Sequence, residues 1–350
     1  MKPKIHLFLK RMNTKILVSG ATGLLGAHVL VELAKSDQQI LALYRSEETK
    51  DEVEKVFSYY KMEDKWSSIE WRRGEVSDVQ FLQDVMSDIT QVYHCAAMVS
   101  FDPKDAVQLH YVNVEGTKNM VNAALYNKVN KFLHVSSTAT IGSPVNGEAC
   151  TEEHQWNNDD YHTYYAKSKY SSEREVWRGI EEGLNSVIIN PCVILGPGDP
   201  QKSSGTIFST MANGLKFYTQ GGNAFVDVRD VARVMVLLMN SQINSERFLC
   251  IGENLRFKEL FTQVANSMGL KPPAYRASRV MTSIAWRLMS VFSFITNKRA
   301  KITSESARAS HKNVLFSNQK IKDYLDIEFT PIPLAIQNTV DYLNFTQKLK

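Results

Sequence analysis

The chain is poor in cysteine, and its cysteines are scattered. Cys95, Cys150, Cys192 and Cys250 are the only four in 350 residues, and no CxxC pair is among them. That excludes a disulfide-stapled scaffold and the usual zinc spacings, so no metal is expected and the natural compartment is a reducing cytoplasm. Long apolar runs are missing as well. The most apolar late stretch, 280–296, carries Arg287 and several Ser and Thr, and falls short of the roughly 20 apolar residues of a membrane span. It reads as an amphipathic helix that either packs in the core or, through Trp286, Phe292 and Phe294, roofs an apolar pocket. Charge of one sign is not in excess: a net +4 spread without basic blocks makes no case for nucleic acid. Ile5–Leu9 is too short for a signal-peptide apolar region, and residues 1–12 read as an extension ahead of the first strand. Repeats and low-complexity linkers are absent too, which favours one compact unit.

What remains is ordinary globular composition, 43% apolar and 22% charged. The informative stretch is Lys15–Arg45. Ile16, Leu17 and Val18 form a short apolar run as a buried strand would, and glycines follow at 20, 23 and 26. Leu24, Leu25, Val29, Leu30 and Leu33 then recur with helical spacing, and Ile40–Tyr44 is a second apolar run. A strand, glycine turn, helix and strand in about thirty residues is the context of a dinucleotide fingerprint. Gly20 permits the tight turn, Gly23 a close backbone approach to pyrophosphate, and Gly26 close helix–strand packing. The other reading is a tight turn that binds nothing. Arg45 ends the second strand where an acid would hold the ribose hydroxyl of NAD, and its guanidinium suits a 2′-phosphate, with Lys50 as a second cation. NADP is therefore favoured over NAD, against the alternative of a solvated loop arginine.

The alternation continues. Ile69–Gly74, Gln91–Cys95, Lys131–Val135 and Asn185–Cys192 read as strands, with helices over Glu47–Tyr60, Val79–Met86 and Ala106–Asn127. This pace implies a parallel sheet covered on both faces, with ligands at the carboxyl ends of the strands. Tyr165 and Lys169, four apart, share one face of a helix running to Ile180. A free phenol with pKa near ~10 holds its proton too tightly at neutral pH, and a neighbouring ammonium lowers that value. Thr138, after the fifth strand, is placed to hydrogen-bond the same substrate oxygen.

With these residues in view the chain resembles the extended short-chain dehydrogenase/reductase family. The motifs are Gly20-Ala21-Thr22-Gly23-Leu24-Leu25-Gly26, His94-Cys95-Ala96-Ala97, Asn113-Val114-Glu115-Gly116-Thr117, Ser136-Ser137-Thr138, Tyr165-Ala166-Lys167-Ser168-Lys169, Asn190-Pro191 and Val226–Ala232. Residues 94–103 are similar to the dihydroflavonol reductase and 3β-hydroxysteroid dehydrogenase branch. The resemblance implies a doubly wound parallel α/β sheet of the Rossmann type over 13–192. A smaller, mainly helical substrate-binding region covers 193–350, with 224–250 returning to the core. It further implies Tyr165 as acid/base, Lys169 lowering its pKa, and Thr138 at the Ser/Thr position, with Ser137 the second candidate. The cofactor is expected against Gly20, Thr22, Gly23, Leu24, Leu25, Gly26, Arg45, Glu75, Val76, Cys95, Ala96, Ala97, Asn113, Ser136, Tyr165, Lys169, Asn190, Pro191 and Val193.

The resulting expectation is an NADP-favouring oxidoreductase acting on a small-molecule carbonyl or secondary alcohol, a hydrophobic one if the 280–296 helix roofs an apolar pocket, and a homodimer by resemblance. Two alternatives stay open. One is a nucleotide-sugar epimerase or dehydratase that recycles tightly bound NAD. Ile141-Gly142 and Asn190-Pro191 count against it, because sugar-nucleotide enzymes often carry Tyr-Gly and Arg-Pro there. The other is a non-catalytic nucleotide sensor, disfavoured because Thr138, Tyr165 and Lys169 are all present.

Overall fold

In the computed structural model the described residues are 14–144, 147–157, 162–296 and 302–348; the 1–12 extension lies outside them. Twelve strands follow in chain order. They are β1 (Lys15–Ser19), β2 (Gln39–Tyr44), β3 (Glu70–Arg73), β4 (Gln91–His94), β5 (Lys131–Val135), β6 (Ser186–Pro191), β7 (Val193–Leu195), β8 (Phe217–Tyr218), β9 (Gly222–Asp227), β10 (Glu246–Cys250), β11 (Glu253–Arg256) and β12 (Tyr275–Arg276). Seven form the central sheet in the order β10-β6-β5-β4-β1-β2-β3, every pair parallel. The chain moves from β1 outward through β2 and β3, then returns to the other side of β1 for β4. That reversal leaves a crevice beyond the carboxyl ends of β1 and β4.

Alternating side chains divide the sheet between two cores. Ile16, Val18, Ile40 and Ala42 join one core, whereas Leu17, Leu41 and Leu43 join the other. Helices cover both faces, which is why the strand sequences read as unbroken apolar runs. The Leu24–Leu33 helix is buried nearly all round and packs against the Val228–Met239 helix. At the carboxyl end of the latter, Lys131 Nζ donates to the carbonyls of Leu238 (2.6 Å) and Ser241 (2.7 Å).

Two stretches differ in detail from the sequence pattern. The long helix over 106–127 contains a π-helical turn at His110–Glu115, flanked by α-helix at Ala106–Leu109 and Gly116–Tyr126. The wide turn carries Asn113 inward, and Gly116 follows it because a Cβ there would sit 2.6 Å from Val76 Cγ2. In the 224–250 stretch, β9 pairs with β7 and β11 in a separate three-stranded sheet, while β10 adds the seventh strand beside β6. Of the aromatic residues considered for a pocket roof, Trp286 is half-buried; the side chains of Phe292 and Phe294 lie outside the described residues.

Candidate functional site

The three fingerprint glycines serve different physical ends. Gly20 has φ +67°, and a Cβ on it would lie 2.5 Å from the Ala96 nitrogen, so the turn presses directly on the Cys95-Ala96 segment after β4. A Cβ on Gly26 would lie 2.2 Å from the Gly20 carbonyl oxygen. Both glycines are required by the packing of the turn itself. Gly23 is exposed, and a Cβ there would meet only the Gly20 oxygen, at 3.3 Å. It caps the Leu24–Leu33 helix with no side-chain hydrogen bond, which leaves first-turn N–H groups free for an anion. The open backbone at Gly23 and the uncapped helix start fit a pyrophosphate. Thr22, Gly23 and Leu24 form one wall of a cleft, and Gly196–Pro200 form the facing wall. Leu25 is buried under the turn.

At the far end of the crevice Arg45 is exposed, and its carbonyl accepts a hydrogen bond from Arg73 Nε at 3.2 Å. Arg73, also exposed, thus brings a second guanidinium to this corner. Lys50 is turned aside: its ammonium pairs with Glu47 at 3.4 Å and lies over the Tyr44 ring. Glu75 is exposed and accepts from the Ser77 hydroxyl at 3.2 Å. The Val76 carbonyl accepts from Asn119 Nδ2 at 3.2 Å.

Tyr165 and Lys169 project from the helix Tyr164–Glu181, which begins cleanly because the Thr163 hydroxyl accepts from the Ala166 N–H at 3.0 Å. Tyr165 stands in the first turn, where the helix dipole favours a phenolate. Its ring meets that of Phe101 edge-on at 5.9 Å. Burial pushes the phenol pKa up, and the neighbouring Ser137 side chain pulls it part of the way back. Lys169 is 1% exposed, and its ammonium donates to the Val135 carbonyl at 2.7 Å. Burial lowers its pKa to about 8, with the Glu173 carboxylate pulling the other way.

Of the two candidate hydroxyls, Ser137 is the one that pulls on the Tyr165 phenol, and Thr138 is buried at the start of a short 3₁₀ turn. Lys169 lies one turn further along the same helix, with its ammonium held on the Val135 carbonyl.

Three residues expected against the cofactor have their side chains engaged elsewhere. Asn113 accepts from the Met98 N–H at 2.7 Å and donates to the Met98 carbonyl (3.0 Å) and Ser168 Oγ (2.9 Å). It fixes the segment after β4 to the Tyr164–Glu181 helix. Ser136 Oγ (2.5 Å) and Asn190 Nδ2 (2.8 Å) both donate to one carboxylate oxygen of Glu173. Thr140 joins them on that oxygen at 2.8 Å, while Arg247 Nη1 and Trp177 Nε1 bind the other at 3.1 and 3.3 Å. Glu173 is 2% exposed and anchors β5, β6 and β10 to the helix bearing Tyr165. The sequence offered one signal for it, the helical step of four from Lys169.

The remaining expected contacts are backbone or packing positions. Cys95, Ala96 and Ala97 follow β4 beside Gly20, and burial pushes the Cys95 thiol up to about 12, so it stays protonated. Pro191 ends β6, and half-buried Val193 begins β7. Beneath them His94 is buried between the Ser19 hydroxyl (2.7 Å) and Thr117 (3.0 Å), with a pKa lowered by burial to about 3. Among the described residues no group of His, Cys, Asp and Glu could hold a metal ion.

Comparisons with known proteins agree with this geometry. Residues 16–252 match the NAD dependent epimerase/dehydratase family. Sterol demethylase protein B of Methylococcus capsulatus is 28% identical over 77% of this chain and 79% of its own length. A putative dihydroflavonol 4-reductase of Synechocystis sp. is 27% identical over 73% of each, and cinnamoyl-CoA reductase 1 of Petunia hybrida is 27% identical over 77% and 75%. Among solved structures, gox2253 superposes with a TM-score of 0.80 at 26% identity over 97% of this chain and all of its own. The Bordetella bronchiseptica enzyme WbmH, solved with NAD+, shares the fold with a TM-score of 0.71 at 21% identity over 95% and 98%. The matched span contains the glycine turn, the Tyr165–Lys169 helix and six of the seven central strands in full, and the chain therefore belongs to the NAD dependent epimerase/dehydratase family, a family of enzymes.

Proposed function

We propose that the protein is an NADP-dependent reductase or dehydrogenase of a ketone, aldehyde or secondary alcohol. The observation that supports this most directly is Tyr165 in the first turn of its helix, beside Ser137 and one turn ahead of buried Lys169, whose ammonium is held on the Val135 carbonyl. When bound, the reduced nicotinamide supplies the hydride. Tyr165 gives its phenolic proton to the carbonyl oxygen of the substrate, and Ser137 hydrogen-bonds the same oxygen and orients it. The phenolate left behind is stabilised by the Ser137 hydroxyl, the helix N-terminus and the positive charge of Lys169. In the oxidative direction the proton travels back from the alcohol to Tyr165.

Arg45 and Arg73 are the residues assigned to the 2′-phosphate. Their adjacent exposed guanidiniums offer bidentate hydrogen bonds at the end of β2 and β3, and no acid stands at the Arg45 position to accept a ribose hydroxyl. Relatives named as reductases of dihydroflavonol and cinnamoyl-CoA favour a bulky carbonyl substrate over a sugar nucleotide. A reducing cytoplasm suits the four free cysteines.

The test is to denature the purified protein, identify any released nucleotide, and titrate the emptied protein with NADPH and NADH. An exchangeable site preferring NADPH, with turnover on an aromatic ketone or aldehyde, is the expected result. Stoichiometric retained NAD with no net turnover would replace this reading with a recycled-cofactor epimerase or dehydratase.

A further inference from the structure

The helix Arg279–Thr296 turns its aliphatic stripe toward water. Val280, Ile284 and Leu288 are spaced by four and share one face. They are 68%, 54% and 65% exposed, and Met281 beside them is 45% exposed. The opposite face includes Thr282, Trp286 and buried Ser293, with the Thr282 hydroxyl bonded to His311 Nε2 at 2.8 Å. A continuous aliphatic stripe of this helix is therefore solvated, where the sequence leads us to expect a helix packed in the core or roofing a pocket. Just before the helix, the exposed rings of Tyr275 and Phe217 lie 5.7 Å apart.

The even charge balance of the whole chain also breaks down here. No Asp or Glu occurs between Glu259 and Glu305, whereas seven Lys and Arg do, so the rest of the chain is net negative. Of the cations in the described part, Lys271, Arg276, Arg279 and Arg287 are all exposed. Arg276 rests on the neutral Gln220 side chain, and Arg287 donates to the Ser283 carbonyl at 2.9 Å and lies over the Trp286 ring. Their charge is left for an outside partner.

We propose that this face docks on an anionic membrane surface, with the Arg279–Thr296 helix lying in the plane of the interface. Aliphatic side chains entering the acyl boundary beside cations at the headgroups describe a monotopic amphipathic helix. No helix among the described residues is long and apolar enough to cross a membrane, so the helix lies on the bilayer. A second copy of the chain is the poorer occupant. A two-fold interface through this face would set the same cations against one another, whereas acidic headgroups complement them. The inference does not depend on the reductase reading.

The test is flotation of the full chain with vesicles of phosphatidylcholine alone and of phosphatidylcholine with phosphatidylserine. The proposal expects binding at least about tenfold stronger to the anionic vesicles, weakened by salt. The Ile284→Asp/Leu288→Asp variant should lose that binding while keeping its far-ultraviolet dichroism and thermal midpoint, since both positions are exposed. Arg279→Gln keeps the apolar stripe intact and should weaken binding about fivefold. Absence of vesicle binding, or equal binding by wild type and both variants, overturns the proposal. So does a wild-type dimer that the double Asp variant converts to monomer without any lipid effect, because a second copy then owns the face.

Discussion

The side chain of Ser137, just after β5, lies close enough to the phenol of Tyr165, in the first turn of the helix that follows, to pull its pKa down against the effect of burial. This proximity joins the strand side and the helix side of the site, and it favours Ser137 over Thr138 as the hydroxyl beside the reacting oxygen. Ser137→Ala should lower kcat about 10²-fold with little change in NADPH affinity. Thr138→Ala, at a buried position, should change stability more than kcat. Steady-state kinetics with cofactor titration distinguish them; equal losses in kcat would return Thr138 to the site.

Tyr165→Phe removes the proton donor and leaves the ring and its edge contact with Phe101 in place. Turnover should fall by ~10³-fold or more while NADPH still binds, measured by fluorescence titration. A variant that retained most of its turnover would show that another group moves the proton.

The glycine turn offers a contrast between packing and binding. Gly26→Ala places a Cβ against the Gly20 carbonyl and should destabilise the fold. Gly23→Ala meets only one neighbour, at 3.3 Å, and should fold with a nearly unchanged thermal midpoint while losing cofactor affinity. At the other end of the crevice, Arg45→Asp should shift preference from NADPH toward NADH, and Arg73→Gln should do so less. Unchanged relative affinities would remove both arginines from the phosphate site.

Lys169 sets a pH dependence for activity and for stability. Its pKa is lowered by burial to about 8, so kcat/KM for reduction should decline above that pH as the ammonium is lost. For stability, a buried amine with a lowered pKa costs free energy while it is charged. The cost is present in full below about 8 and is relieved as pH rises through 8 toward the ordinary value of 10.5. Lys169→Met should accordingly be inactive yet at least as stable as wild type at pH 7, by denaturant midpoint. A marked loss of stability would mean that the Val135 hydrogen bond outweighs the burial cost.

Glu173 holds five donors from four separate segments, including the Arg247 guanidinium of β10. Glu173→Gln leaves Arg247 without its countercharge in a largely buried place and should cost about 3 kcal/mol. A denaturant series reads this directly. An unchanged midpoint would reduce the network to surface-like weight.

Much of this protein was legible in its sequence, and the reason is locality. Apolar runs of five, a glycine turn and a helical period are set by neighbours within a few residues, so the strand–helix alternation and the shared face of Tyr165 and Lys169 follow from the chain alone. That the sheet is parallel and covered on both faces follows from the same pattern together with the family likeness, whereas the order of its strands comes from the tertiary structure. Other features belong to tertiary structure. Around Ser137 the backbone is extended, with φ −161° and ψ 152°, so consecutive side chains point to opposite sides. Sequence places both hydroxyls just after β5, and only the seating of β5 against the Tyr164–Glu181 helix decides which one acts on the Tyr165 phenol. Glu173 likewise becomes a hub because β5, β6 and β10 converge on it from distant parts of the chain. The 280–296 helix has the period of a core helix, but which way its stripe turns depends on what packs behind it. There Trp286 and Thr282 took the inward face and left Ile284 in water.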